Sequence, residues 1–250
     1  MVPQAEGTNI MRRQDNAFAG TGLLQSEAEW AARGDSLTNS LAGMLQDSIA
    51  PTATRGLDIG CQQGGLIDRL TQSTGLQWVG VDPILSSPGL TPDGSAIGPG
   101  QADAIPYPDG TFDCAIFANV FEHIPPAARQ RSFDEMFRVL RPGGVIAGQI
   151  PNPYFPIESH SRLPFMGLLP LGMQKRYWRF TRVPWEHDFY VVTLRQLRQH
   201  ADAAHFIVEM TRSFNYPPEA IPQKVRWLAT AASPIMRIYP WAWQFILRRP

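Results

Sequence analysis

Two aspartates in the first third of the sequence have the spacing of a ligand-binding pair. Asp58 lies in residues 55–66 (RGLDIGCQQGGL), two positions before Gly60, and Asp82 follows the apolar run WVGV. An apolar run, a glycine-bearing turn and a helix form the unit with which α/β proteins bind nucleotides. A carboxylate beside that turn repels phosphate and attracts a cation or an ammonium group. Asp58 therefore favours a ligand with an adenosine half, a positively charged amino-acid half and no phosphates, a description that fits S-adenosylmethionine.

The spacing between the glycine turn and the second acid suits the binding of a ribose. Asp82 lies 22 residues beyond Gly60, and an acid at the end of a second strand can accept hydrogen bonds from both hydroxyls of a ribose. The alternative is a solvated loop aspartate before Pro83. Residues 60–64 read GCQQG, so the dinucleotide fingerprint G-x-G-x-x-G is absent. This spacing, together with Asp58, opposes a nicotinamide dehydrogenase.

Strands and helices alternate along the sequence in the way that a parallel α/β sheet requires. The predicted strands are 57–59, 78–81, 112–118, 145–150 and 205–210. The predicted helices run from Asp35 or Ser36 to Pro51, from about Gly64 to Ser73, from Pro125 and Pro126 to about Leu140, and over 193–204. Residues 86–100 are too rich in glycine and proline for a regular helix. We expect a Rossmann-like sheet with helices on both faces, in a single domain over residues 1–250.

Four sequence blocks, in this order and spacing, resemble class I S-adenosylmethionine-dependent methyltransferases. The resemblance is greatest to the small-molecule group that includes the ubiquinone and menaquinone methyltransferases. The blocks are LDIGCQQGG, VGVDP, QADAIPYPDGTFDCAIFANVFEHI and RVLRPGG, within residues 55–150. The family usually has a glycine where this sequence has Gln62, and it usually has a helix after the position of Asp82.

The resemblance implies that S-adenosylmethionine is the cofactor and that residues 55–150 form its binding core. The residues implied to hold it are Asp58, Gly60, Cys61, Gln62 and Gly64 at the methionine end, Asp82 and Pro83 at the ribose, Asp103 and Ala104 at the adenine, and Asn119 on the floor.

Composition and charge limit the class of protein. With 250 residues, of which 44% are hydrophobic, the chain can bury a full core. Residues 1–150 carry 9 Arg and 16 Asp or Glu, a net −7, whereas residues 174–250 carry 12 Lys or Arg and 5 Asp or Glu, a net +7. This asymmetry indicates either an anionic partner or mutual attraction of the two halves. Cys61 and Cys114 are expected to be reduced thiols, with no metal site. No signal peptide or spanning apolar run is evident, so we expect a cytoplasmic protein.

The C-terminal half is expected to hold the methyl acceptor. Residues 152–190 are interpreted as an acceptor lid, in which residues 163–173 are apolar and interrupted by prolines and glycines. Residues 223–249 are interpreted as a helical tail, since the antiparallel strand that usually completes this family's sheet is not evident. Residues 1–20 are expected to be a loose arm.

The tail is expected either to pack on the core or to lie at a bilayer surface, because it mixes tryptophans with arginines. The expected partner is a small-molecule or lipid acceptor and not a nucleic acid. Peripheral membrane contact is expected through residues 163–173 and 223–249.

In-line methyl transfer requires an aligned acceptor and, for some acceptors, a base. Two histidines are candidates for that base: His123, just after the strand 112–118, and His160, in the predicted lid. His123 also suits a packing role. We expect a methyltransferase that acts on a small or lipophilic acceptor. The alternative is a non-catalytic member of the same fold that binds cofactor or a partner.

Overall fold

An eight-stranded sheet forms the centre of the protein. The computed structural model describes residues 27–156, 165–180, 189–221, 223, 226–231, 236 and 238–250. The strands are β1 (Arg55–Ile59), β2 (Gln77–Asp82), β3 (Gly89–Leu90), β4 (Ala96–Pro99), β5 (Phe112–Ala118), β6 (Leu140–Pro151), β7 (Ile207–Phe214) and β8 (Ala242–Arg248). Their spatial order is β3-β4-β2-β1-β5-β6-β8-β7. Strands β4, β2, β1, β5 and β6 are parallel, and β8 is antiparallel to both β6 and β7.

Helices cover both faces of this sheet, which confirms the predicted fold class. They are α1 (Glu27–Gln46), α2 (Ile67–Thr74), α3 (Arg129–Val139), α4 (Leu171–Phe180), α5 (Leu194–Ala203) and α6 (Arg226–Ala231). On one face, α1 and α2 bury Leu45 and Leu70 in a cluster with Ile246 of β8. On the other face, α3 and α5 contribute Phe133 and Leu197 to a second cluster. The central parallel strands β1, β5 and β6 are therefore buried on both sides, as their apolar sequences require.

The prediction of a helical tail over residues 223–249 is wrong for its last third. Ala242–Arg248 is strand β8, which pairs with β6 and β7 and buries Phe245, Ile246 and Leu247 completely. A strand that is covered on both faces lacks the alternation of polar and apolar residues by which a strand is recognised. Its place is set by packing: Phe245 pairs with Gly148, where any Cβ would overlap the Phe245 ring.

The start of the first helix differs from prediction. Asp35 and Ser36 do not cap the first helix, because α1 begins at Glu27 and both residues lie inside it. The glycine- and proline-rich residues 86–100 contain β3 and β4, which extend the sheet beyond β2. The predicted helix over 193–204 is confirmed, with Thr193 and Gln196 forming a capping box at its start.

No helix within the described residues combines the length and the apolar character that crossing a bilayer requires. The predicted loose arm, residues 1–20, lies outside the described residues, as do residues 157–164 and 181–188 of the predicted lid.

Candidate active site

The candidate site lies where the carboxyl ends of β1, β2, β4 and β5 meet. The chain passes from β1 to β2 and β4 on one side, then returns to β5 on the other side of β1. Loops that leave the sheet in opposite directions open a crevice at this point, which is where α/β sheets bind ligands.

The turn after β1 is tight. The backbone N–H groups of Gly60 and Cys61 both donate to the carbonyl oxygen of Val81, at 2.8 and 3.2 Å. Gly60 and Gly64 both have φ of +80°, and a Cβ at Gly60 would overlap the side chain of Val120. Only glycine suits such a position without strain. The sequence interpretation of this turn is thus supported by its backbone.

Gln62 is the unusual residue of the turn. Its φ is +51°, in the left-handed region, where a non-glycine residue costs roughly 1 kcal/mol or more. This conformation accounts for the glycine that the resembling family usually has here. The side chain is exposed.

Asp82 is buried at the end of β2, with 7% of its surface exposed. One carboxylate oxygen, Oδ2, accepts a hydrogen bond from the N–H of Gln62 at 2.8 Å, and the other, Oδ1, accepts one from the N–H of Ile84 at 2.8 Å. A carboxylate has about four lone-pair sites, so each oxygen retains one for a ligand hydroxyl. Pro83 is exposed beside it.

Asp58 is buried near the end of β1, with 3% exposure. Burial, and secondarily the charge of Asp82, raises the pKa of Asp58 to about 7. Within the described part of the chain, no cation forms an ion pair with it. Its strand neighbours are Gly80 and Ile116, neither of which offers a charge. A positively charged ligand would favour its ionised form.

Cys61 does not have the character of a nucleophile. It is 5% exposed, and burial, followed by the charges of Asp58 and Asp82, raises the pKa of its thiol. A protonated thiol is neither a good nucleophile nor a metal ligand. Among the described residues, no three His, Cys, Asp or Glu side chains gather as a metal site.

Asp103 and Ala104 lie in the turn after β4, which is closed by a hydrogen bond from Ala104 N–H to the Gln101 carbonyl at 3.0 Å. Arg138 of α3 holds the following loop by donating to the carbonyls of Ile105, at 3.0 Å, and Tyr107, at 2.8 Å. Sequence reasoning missed Arg138, since its partners are 31 and 33 residues away.

Asn119 follows β5 with φ of +56°. Its N–H donates to the Gln149 carbonyl at 2.8 Å, and its side-chain oxygen accepts from Gln149 Nε2 at 3.2 Å. Gln149 was not singled out from the sequence, because nothing local marks a buried glutamine in an apolar strand.

Of the two histidine candidates, His123 lies within the described residues and His160 does not. His123 ends a short 3₁₀ turn, Phe121–His123, and is half-buried at the same edge of the sheet as the two acids.

A cap segment, defined as residues 165–180, rises from the same edge. The N–H of Phe165 donates to the Pro156 carbonyl at 2.7 Å. Farther along, the N–H of Tyr190 donates to the carbonyl of Glu122, in the turn after β5, at 2.7 Å. The cap segment thus follows the end of β6, and the chain after it is held at the end of β5 by Tyr190. Its exposed apolar side chains are Phe165, Leu168 and Met173, at 58%, 56% and 55%.

These residues fit a cofactor with a ribose at one end and a positive charge at the other. Asp82 presents free lone pairs, Asp58 forms no ion pair within the described ranges, and the glycine turn brings backbone close to both.

Comparison with known proteins gives a family match over most of the chain. A family model described as "Methyltransferase domain" matches residues 28–210. An uncharacterized methyltransferase of Mycolicibacterium gilvum is 31% identical over 158 residues, which cover 58% of this chain and 59% of that protein. One of Mycobacterium tuberculosis is 37% identical over 105 residues, covering 39% of this chain and 40% of that one.

A ubiquinone/menaquinone biosynthesis C-methyltransferase of Hahella chejuensis is 34% identical over 77 residues, which cover 28% of this chain and 30% of that protein. The chain thus aligns with less than two thirds of the length of each of these relatives.

Solved structures share the fold at low identity. A protein of Pyrococcus horikoshii superposes with a TM-score of 0.59 at 17% identity, covering 90% of this chain and 93% of that one. An S-adenosylmethionine-dependent methyltransferase of Mesorhizobium loti gives 0.57 at 16%, covering 85% and 100%. The [4+2]-cyclase SpnF gives 0.54 at 16%, covering 86% and 80%. Because a cyclase also has this architecture, the likeness shows the fold and not the reaction.

Proposed function

This chain belongs to the methyltransferase-domain family, as a class I protein whose cofactor is S-adenosylmethionine, and we propose that it transfers the methyl group to a small or lipophilic acceptor. The observation that carries the acceptor proposal is the exposed apolar surface of the cap segment, directly beside the cofactor edge of the sheet.

The residues of the first three loops would hold the cofactor. Asp82 would accept hydrogen bonds from the ribose hydroxyls with its remaining lone pairs, and Asp58 would lie near the positively charged end. Asp103 and Ala104 would border the adenine, on the far side of β2. The bound cofactor supplies a methyl group that a sulfonium charge has already activated, so the protein contributes mainly by positioning.

The connection between β7 and β8 lies at the same edge of the sheet and supports the same acceptor class. Pro151 and Phe214 both pair with Ala242, so this connection lies at the carboxyl edge of β6. It exposes Trp227 and Ile238, at 67% and 74%. Large exposed apolar groups at a site edge are typical of surfaces that receive an apolar ligand.

We propose His123 as the group that takes a proton from the acceptor, if the acceptor loses one on methylation. It is half-buried at the same edge of the sheet as Asp58 and Asp82, and histidine is the side chain that most often acts as a general base. His160 stays a second candidate from the sequence.

The test is methyl transfer from tritiated S-adenosylmethionine into two fractions of a bacterial extract, one organic-soluble and one water-soluble. We expect label in the organic fraction or in small metabolites, and much less label with Asp82→Ala protein. Label found only in macromolecules contradicts the acceptor class, and S-adenosylhomocysteine failing to bind in calorimetry contradicts the methyltransferase itself.

We also propose that the acceptor is reached from a bilayer surface. The cap segment contains Lys175, Arg176 and Arg179 and no acidic residue, and Lys175 and Arg179 are exposed beside the apolar side chains. Basic and apolar groups together are the composition of a surface that binds anionic headgroups.

A further inference from the structure

A row of polar side chains crosses the sheet beside the candidate site. It runs from Arg212 on β7 through Gln244 on β8 and Gln149 on β6 to Asn119 at the end of β5. Gln149 and Gln244 are 1% and 0% exposed, and strand register places Gln244 opposite both Gln149 and Arg212. A buried amide is costly unless it is hydrogen-bonded. The row is therefore a specific structural feature of this edge.

The direction of every hydrogen bond in the row follows from Arg212. A guanidinium has donors only, and Arg212 Nε donates to Gln244 Oε1 at 3.1 Å. Arg212 Nη2 also donates to the Ser40 hydroxyl at 2.8 Å, and that hydroxyl donates to the same Gln244 oxygen at 2.8 Å. With its oxygen occupied, Gln244 turns its Nε2 toward Gln149 Oε1, at 3.1 Å.

Gln149 in turn determines how the side chains of Asn119 and Tyr216 are oriented. Gln149 Nε2 donates to Asn119 Oδ1 at 3.2 Å and to the Tyr216 hydroxyl at 3.4 Å. Asn119 therefore directs its Nδ2 away from the row, where it makes no hydrogen bond with the described residues. The Tyr216 hydroxyl, which accepts from Gln149, keeps its own proton for another acceptor.

We propose that Arg212, acting through Gln244 and Gln149, is a positioning residue that fixes Asn119 and Tyr216 as hydrogen-bond donors toward the bound ligand. The site then selects a ligand oxygen that accepts hydrogen bonds. Such an oxygen belongs either to the carboxylate of the cofactor's amino-acid half or to a carbonyl, carboxylate or phenolate of the methyl acceptor. The inference rests on the proposed function only in placing a ligand at this edge.

Gln149→Glu tests the direction of the row with almost no change in shape. The new carboxylate still accepts from Gln244 but no longer donates, so Asn119 must turn its Nδ2 toward position 149 and present its oxygen to the ligand. We expect the ligand to bind about 10-fold more weakly, because its oxygen loses the Asn119 Nδ2 donor and faces the Asn119 side-chain oxygen instead.

Calorimetry separates the two sources of that oxygen. If it belongs to the cofactor, Gln149→Glu weakens S-adenosylhomocysteine and leaves 5′-methylthioadenosine, which lacks the amino-acid half, unchanged. If it belongs to the acceptor, S-adenosylhomocysteine binds normally and the KM for the organic-fraction acceptor rises about 10-fold, with a smaller change in kcat. Unchanged affinities and unchanged KM overturn the proposal.

Arg212→Met combined with Ser40→Ala removes the donors that orient Gln244, and we expect the same ligand effect at about 3- to 10-fold. Arg248→Met is the matched control, because Arg248 donates to the Gly143 and Ser48 carbonyls at the opposite edge of the sheet. An equal effect from Arg248→Met would show a general loss of stability and overturn the proposal.

A direct measurement of the Asn119 side-chain orientation tests the row of polar side chains separately from the proposed function. Nuclear Overhauser contacts of the Asn119 side-chain NH₂ report its orientation without any ligand. In Gln149→Glu protein these protons should move toward residue 149. If they do not, the row does not orient Asn119, whatever the outcome of the methylation assays. If wild-type protein binds neither nucleoside, the proposed function fails while this readout still decides on the row.

Discussion

Asp82 accepts a hydrogen bond of 2.8 Å from the backbone N–H of Gln62, the one residue of the glycine turn that is left-handed without being glycine. The acid at the end of β2 therefore holds the turn after β1 in the conformation that faces the ligand. Binding and turn geometry are coupled through one carboxylate, and variants at the two positions should separate these contributions.

Asp82→Ala should weaken S-adenosylhomocysteine binding about 10- to 150-fold. The variant leaves two ribose hydroxyls without their acceptor, at a total cost of about 1.5–3 kcal/mol for hydrogen bonds to a charged group. Calorimetry measures this change. Asp93→Ala is the control, since exposed Asp93 accepts from the Gln72 side chain and lies outside the candidate site. Unchanged affinity in Asp82→Ala would remove this residue from the site.

Gln62→Gly should be slightly more stable than the wild type and should bind cofactor at least as well. Glycine removes the roughly 1 kcal/mol cost of a left-handed side-chain residue but loses more backbone entropy on folding. Gln63→Gly, at a neighbouring exposed position without positive φ, should only lose stability. Thermal melts of the two variants measure the difference. A cofactor affinity that falls in Gln62→Gly would show that the glutamine side chain contacts the ligand.

Asp58→Asn should gain stability over the wild type as the pH rises. The pKa of Asp58 is raised in the folded protein to about 7, so between about pH 4 and pH 7 the folded state keeps a proton that the unfolded chain releases. The contribution of protonated Asp58 to the stability of the folded state is fully present below about pH 4 and is lost as the pH rises to about 7. At pH 8 the variant should be more stable than apo wild type, by at most about 4 kcal/mol.

The same variant should bind S-adenosylmethionine more weakly, because the neutral amide no longer attracts the positive end. Asp113→Asn is the control for the stability measurement. Burial opposes the charge of Asp113, but hydrogen bonds from the Thr54 and Arg55 backbone and from Arg141 lower its pKa overall. Its stability difference should therefore stay constant from pH 5 to pH 8. Denaturant melts that show no pH trend for Asp58→Asn would contradict the raised pKa.

Gly60→Ala should disrupt the site, whereas Gly65→Ala should not. A Cβ at Gly60 overlaps Val120 and φ is +80°, whereas nothing lies within 4 Å of a Cβ at Gly65. We expect Gly60→Ala to cost about 1–3 kcal/mol of unfolding free energy. Adding Val120→Ala should restore only part of this loss, because it relieves the overlap and not the strain. Full recovery in the double variant would show that φ contributes nothing.

Binding to vesicles tests the membrane proposal. Flotation with anionic vesicles at low salt should recover the wild type, and high salt should reduce the bound fraction because surface charges are screened. Lys175→Gln with Arg179→Gln should bind more weakly, since each basic residue contributes about 1 kcal/mol. Arg55→Gln with Arg141→Gln, at the opposite edge of the sheet, is the control. Equal flotation of both double variants, or none for the wild type, would leave the cap segment as a surface for water-soluble acceptors.

Much of the cofactor side could be predicted from the sequence. The turn after β1, the acids Asp58 and Asp82 and the apolar strands around them lie in short segments whose local pattern is sufficient. Glycine marks a left-handed backbone, and an acid beside it marks the charge of the ligand. The sequence also singled out Asp103 and Ala104 in the loop after β4, but not Arg138, which holds the residues that follow.

The other side of the molecule depended on long-range contacts. Strand β8 has no alternation because both of its faces are buried, and its identity is decided by pairing with β6 and β7. The same holds for Gln149, Gln244 and Tyr216, which meet across 95 and 67 positions of sequence.

By itself, then, the sequence determined the fold class, the glycine turn and the two acids of the cofactor edge, because each depends on neighbours within a few residues. Only the tertiary structure decided that residues 242–248 form a strand between β6 and β7, and which polar groups reach Asn119. Hydrogen bonds between side chains far apart in sequence have no local pattern, and they exist only once the strands that carry them are in register.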